Sequence, residues 1–154
     1  MTNVKKLDEP AIDCWFFNIP LFDFGKIYLV TTHEDWIKLC ASFGCDDDVT
    51  SCDNAAGASL QITNNDSEAF LIGVFDGDLS TLVHEAAHTT FKILAAVNVS
   101  TDANEKNETF CYMIDTIFAK FLQYVQNRED IFLCPVCSCE IGYRDQVANQ
   151  QKQE

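Results

Sequence analysis

"AFLIGVFDGDLSTLVHEAAHTTFKILAA", residues Ala69 to Ala96, begins as an apolar run with strand character and ends as a segment of helical period. Asp76, Gly77, Asp78 and Ser80 stand between the two with turn and N-cap groups. Leu79, Leu82, Val83, Ala86, Ala87, Phe91 and Leu94 recur as an apolar stripe, which predicts a helix over about 79–96. A strand running into an amphipathic helix makes the chain a mixed α and β protein. The helix also carries two of the chain's three histidines, His84 and His88, with Glu85 directly after the first.

Outward from this stretch, "ASLQIT" precedes it across "NNDSE", whose residues suit a hairpin turn, so the two apolar runs are predicted to pair antiparallel. Further upstream, Lys26 to Thr31 reads as a strand. "HEDWIKLCASFG" reads as a short helix with Trp36, Ile37, Leu39, Cys40 and Phe43 at helical spacing and Gly44 as its stop. Cys45 to Gly57 is predicted to be a surface loop. Downstream, "NVSTDANEKN" is a polar loop leading to the longest helix, "ETFCYMIDTIFAKFLQYVQN", with Phe110, Met113, Ile114, Ile117, Phe118, Phe121, Leu122 and Val125 on one side. The fold class is therefore α+β, a small antiparallel or mixed sheet packed on the histidine helix and the long helix after it. The domain is expected to span 1–133, with 134–154 a polar, cysteine-containing tail whose last ten residues or so are mobile.

A length of 154 residues accommodates one compact domain and is too short for two ordinary ones. The hydrophobic fraction of 47% excludes a disordered composition even at a net charge of -14. That charge repels phosphate backbones and anionic membrane surfaces, so nucleic acid and membrane are not expected partners. No signal peptide is legible near the N-terminus and no stretch has the length of a membrane span, which leads to an expected cytoplasmic location. In that compartment the eight cysteines are expected to be thiols or metal ligands.

Residues four apart on a helix share a face, so His84 and His88 can present imidazole nitrogens to one ion. Glu85 lies about 100° round the helix from His84 and can flank a water there. Chance produces a His-Glu-x-x-His string in such a chain on the order of a few times in a thousand. A catalytic zinc takes three protein ligands and leaves a position for water. His33, at the start of a different helix, has a surface or capping role as its simplest reading. Downstream candidates for the third ligand are Asp102, Glu105, Glu108, Cys111 and Asp115.

"HEAAH" followed by "NE" at Asn107 and Glu108 resembles the gluzincin pattern of thermolysin-like metallopeptidases. The order of strand pair, motif helix, loop and glutamate helix is similar to small zincin-like metallopeptidases of phages and prophages, over about residues 58–125. The resemblance implies a zinc ion held by His84, His88 and Glu108, with Glu85 as general base. It implies a minimal zincin-like fold, peptide-bond hydrolysis, a protein or peptide substrate, and a host cytoplasmic setting if the chain is phage-encoded. It also implies that the strand before the motif helix, Ala69 to Asp76, pairs with an extended substrate. The family's aspartate four residues after the ligand glutamate is here Tyr112, and Asp115 is the alternative contact to a ligand histidine. Tyr112 is either a packed aromatic, the simpler reading, or a donor to the oxyanion.

Two rival functions share these ligands: a non-catalytic zinc-binding phage or prophage protein that interacts with a host protein, and another zinc hydrolase such as a deamidase or isopeptidase. In the tail, Cys134, Cys137 and Cys139 form a C-x-x-C-x-C cluster that reads as free thiols, as a disulfide after exposure to air, or as a second, structural zinc site completed by Cys40, Cys45 or Cys52. Cys14 and Cys111 suit buried small apolar positions.

Overall fold

The computed structural model describes residues 4–8, 11–46, 52, 54–64, 67–102, 107–125, 132–133 and 140–141. The elements are β1 (Lys5–Lys6), β2 (Cys14–Asn18), β3 (Gly25–Val30), α1 (His33–Ser42), β4 (Gly57–Asn64), β5 (Ser67–Val74), α2 (Leu79–Ala96), α3 (Glu108–Val125), β6 (Phe132–Leu133) and β7 (Glu140–Ile141). Strands β1 to β5 form one sheet in the order β1-β2-β3-β5-β4. The β3–β5 pair is parallel and the others antiparallel, so the fold is α+β with a mixed sheet.

Alternation along the strands explains why the sheet is covered on both sides. Ile27, Leu29, Phe70, Ile72 and Val74 point to one face, where they pack with Leu82, Ala86 and Ile93 of α2 and Met113, Ile117 and Phe121 of α3. Tyr28, Val30, Ala69 and Leu71 point to the other, against Trp36, Leu39 and Cys40 of α1. The central strands β3 and β5 are buried on both faces and therefore read as continuous apolar runs.

The helix expected over 79–96 forms over those residues, but its buried stripe is rotated from the apolar one. Glu85, Thr89 and Thr90 are buried, while Val83 and Phe91 are 43% and 48% exposed. Helix α1 is capped by Thr32, whose hydroxyl accepts the Asp35 N–H at 3.1 Å. It ends with Gly44 at φ +76°. There the Cys45 N–H donates to Cys40 O at 3.1 Å and the Gly44 N–H to Ala41 O at 2.9 Å, the paired bonds of a Schellman stop.

The structure corrects three side-chain expectations. His33 is half-buried against Phe75, with ring centroids 4.0 Å apart, because α1 packs across the end of β5. Cys111 and Tyr112 are exposed, because α3 turns Met113 and Ile117 toward the core and leaves the opposite side to solvent. Cys14 is buried as expected. The pair β6–β7, Phe132 opposite Ile141, straddles the boundary placed between 133 and 134. The cluster of Cys134, Cys137 and Cys139 and the last ten residues lie outside the described residues. Among the described residues no helix is long and apolar enough to cross a membrane.

Candidate metal centre and its groove

The turn from β5 into α2 sets the site. Gly77 takes φ +70°, and the Asp76 carboxylate accepts the Asp78 N–H at 2.9 Å and the Thr81 hydroxyl at 2.8 Å. Asp78 then caps α2 by accepting the Ser80 N–H at 2.8 Å, which holds its carboxyl below the usual aspartate range. The helix is thereby aimed along β4, with Thr81 and Glu85 over Gly57.

His84 and His88 are exposed, and their Nε2 atoms are 3.1 Å apart with the rings nearly perpendicular at 77°. At this distance one ring can donate its Nε2–H to the other nitrogen, or both nitrogens can face one ion. Ligands of one tetrahedral zinc at about 2.0–2.1 Å are themselves about 3.3 Å apart. The donor pair therefore fits a zinc-type ion as two of its ligands.

Glu85 is only 7% exposed. Its carboxylate makes no hydrogen bond or salt bridge with the described residues, its oxygens are not among their buried unsatisfied atoms, and its charge acts on the Lys92 ammonium. A groove of about 480 Å³ is lined by Ala56, Gly57, Ser80, Thr81, His84 and Glu85. An acid with little exposure thus borders a groove beside two imidazoles whose nitrogens converge.

Glu108 opens α3, and Asp115 and Tyr112 follow it on the same exposed stripe. Phe110 packs on Phe91 of α2, centroids 4.6 Å apart, so the first turn of α3 is docked close beyond His88. Yet among the described residues no three His, Cys, Asp or Glu side chains form a group able to hold a metal, so Glu108 does not join the histidine pair here. Asp102 is exposed, its N–H bonded to Ser100 Oγ at 3.2 Å. Glu105 lies outside the described residues.

The strand expected to pair with substrate is corrected. β5 is interior, bonded to β3 and β4, so its main chain offers nothing to a ligand. The edge beside the groove belongs to β4, which pairs with no strand other than β5 among the described residues. Two contributors escaped sequence reading: Gly57, whose missing side chain makes room for Glu85, and Lys92, whose ammonium donates to Ser59 O at 2.6 Å and Ser59 Oγ at 2.9 Å. A glycine at a loop-to-strand junction and a lysine in a helix carry no local signal of either role. Comparison with known protein families, curated proteins and solved structures finds no match to the chain.

Proposed function

We propose that the chain is a zinc-dependent metallopeptidase acting on protein or peptide substrates in the cytoplasm, of a phage's host if it is phage-encoded. The observation that carries this reading is Glu85, a residue with little exposure that lines a groove beside the converging nitrogens of His84 and His88. His84 and His88 would hold the zinc, with Glu108 as the third ligand that the gluzincin resemblance implies. When bound, zinc would supply Lewis acidity, which makes water a nucleophile near neutral pH and draws charge from a carbonyl.

The chain's own residues account for the rest. Glu85 takes a proton from the attacking water as its oxygen adds to the scissile carbonyl. It then delivers that proton to the amide nitrogen as the C–N bond breaks, leaving a carboxylic acid and an amine. The outer edge of β4 offers main-chain groups to an extended substrate without demanding a particular side chain. Asp115 and Tyr112 sit on the Glu108 stripe, which suits contact with that ligand more than with the carbonyl.

A second reading, a non-catalytic zinc-binding protein that interacts with a host protein, draws support from the separation of Glu108 from the histidine pair. Elemental mass spectrometry and casein cleavage on wild type, Glu85→Gln, His84→Ala and Glu108→Ala separate the two. The peptidase reading expects zinc in wild type and Glu85→Gln, zinc loss in both ligand variants, and cleavage reduced by about a hundredfold or more in Glu85→Gln. Zinc bound through the histidines with no cleavage of any protein substrate would select the second reading. Retention of zinc by His84→Ala would remove the site.

A further inference from the structure

Lys92 shares a stripe of α2 with Thr81, Glu85 and His88, and that stripe follows the outer edge of β4. The Phe75 N–H donates to Ala56 O at 2.8 Å, and bonded and non-bonded pairs alternate along an antiparallel ladder. Ala58, Leu60 and Ile62 therefore bond across to β5. Gly57, Ser59, Gln61 and Thr63 turn their main-chain groups to the outer edge. Gly57 borders the groove, whereas the outward carbonyl of Ser59 is already taken by the Lys92 ammonium at 2.6 Å.

Both acceptors of that ammonium, Ser59 O and Ser59 Oγ, are uncharged. No carboxylate among the described residues lies within ion-pair distance of it. Burial pulls its pKa below the usual lysine value, opposed by the charge of Glu85. An ammonium has three N–H groups and two are engaged, so one remains for a ligand. A bound strand reaching Ser59 meets a half-buried cation where it would otherwise find an acceptor. An uncharged segment displaces the ammonium without compensation, whereas a carboxylate gains a charge-assisted hydrogen bond. On a chain of net charge -14, such a cation is also what allows an anionic segment to settle locally.

We propose that Lys92 is a specificity-determining residue that recognises a carboxylate on a peptide bound along β4, making peptides with a free carboxylate at that position the substrate class. This rests on the peptidase reading. The carboxylate is either an Asp or Glu side chain or the peptide's own C-terminus, and the two sources are separable.

The test measures fluorescence anisotropy of dye-labelled polyalanine peptides carrying one Glu at each position in turn, with matched Gln peptides, each with a free or an amidated C-terminus. Wild type, Lys92→Met and Lys92→Arg are compared, and mass spectrometry reads cleavage in the same samples. Wild type is expected to bind the favoured carboxylate peptide roughly tenfold tighter than its neutral counterpart. Lys92→Met, with unchanged melting temperature, loses that preference, and Lys92→Arg keeps it. A Glu-over-Gln preference assigns the side chain, and a free-over-amidated preference assigns the C-terminus. Equal binding of charged and neutral peptides, no measurable binding to wild type, or a preference that survives in Lys92→Met overturns the proposal. A Lys92-dependent preference without any cleavage leaves the carboxylate anchor standing and counts against the peptidase reading. Cleavage without the preference does the reverse.

Discussion

A Cβ at Gly57 would lie 2.5 Å from Thr81 Cγ2 and 2.9 Å from both Glu85 Cγ and Gly73 O. The first two atoms belong to the helix that carries the site and the third is backbone, so the strain cannot be relieved by one flexible side chain. Gly57→Ala is expected to destabilise the protein by about 1–3 kcal/mol, as overpacking does, and to displace Glu85 from the groove. Urea denaturation and casein cleavage check the two consequences together. An unchanged midpoint with full activity would show that α2 lies farther from β4 than described. Burial of Glu85 sets it apart from His84 and His88 in the same way: both histidines are exposed, and only the packing of α2 on the sheet makes the distinction.

At the scale of elements, the sequence signals that held are those with local causes. Helix α2 starts where Asp78 can cap it, and α1 stops at the left-handed Gly44. The Asp78 cap gives a pH prediction. Its folded-state pKa is lowered by the bonds from Ser80, so its contribution is present above the unfolded pKa and is lost as pH falls through the folded one. Asp78→Ala should therefore lower the melting temperature at neutral pH. The two proteins should converge in acid below the aspartate range, which a series of thermal melts reads directly. A constant gap at every pH would assign the cap's effect to backbone conformation instead. The apolar stripe of α2 was legible only in part. Val83 and Phe91 fit the helical period but stay exposed, while Thr89 and Thr90 are buried, because the sheet and α3 cover the helix over a sector that its own sequence does not mark.

At the scale of the whole molecule, one sheet separates two apolar layers, and the site lies on the side formed with α2 and α3. Phe121 sits fully buried in that layer with its ring centroid 5.0 Å from that of Phe17. Phe121→Ala is expected to cost about 3–5 kcal/mol in urea unfolding. The exposed Tyr112→Ala, on the same helix, should stay within about 0.5 kcal/mol. Comparable losses for both would mean that α3 presents a different face to the sheet. The sequence by itself determined the α+β class, the helix over 79–96, the hairpin before it and the placement of His84 and His88 one turn apart. Each of these follows from dihedral preferences and periodicities that act within a few residues. Only the tertiary structure decided that β3 and β5 pair in parallel, that β4 and not β5 lies at the edge of the sheet, that Glu85 is buried, and that Lys92 reaches Ser59. Those features depend on which distant segments exclude water from one another, and burial of that kind is a property of the assembled layers that no stretch of chain carries alone.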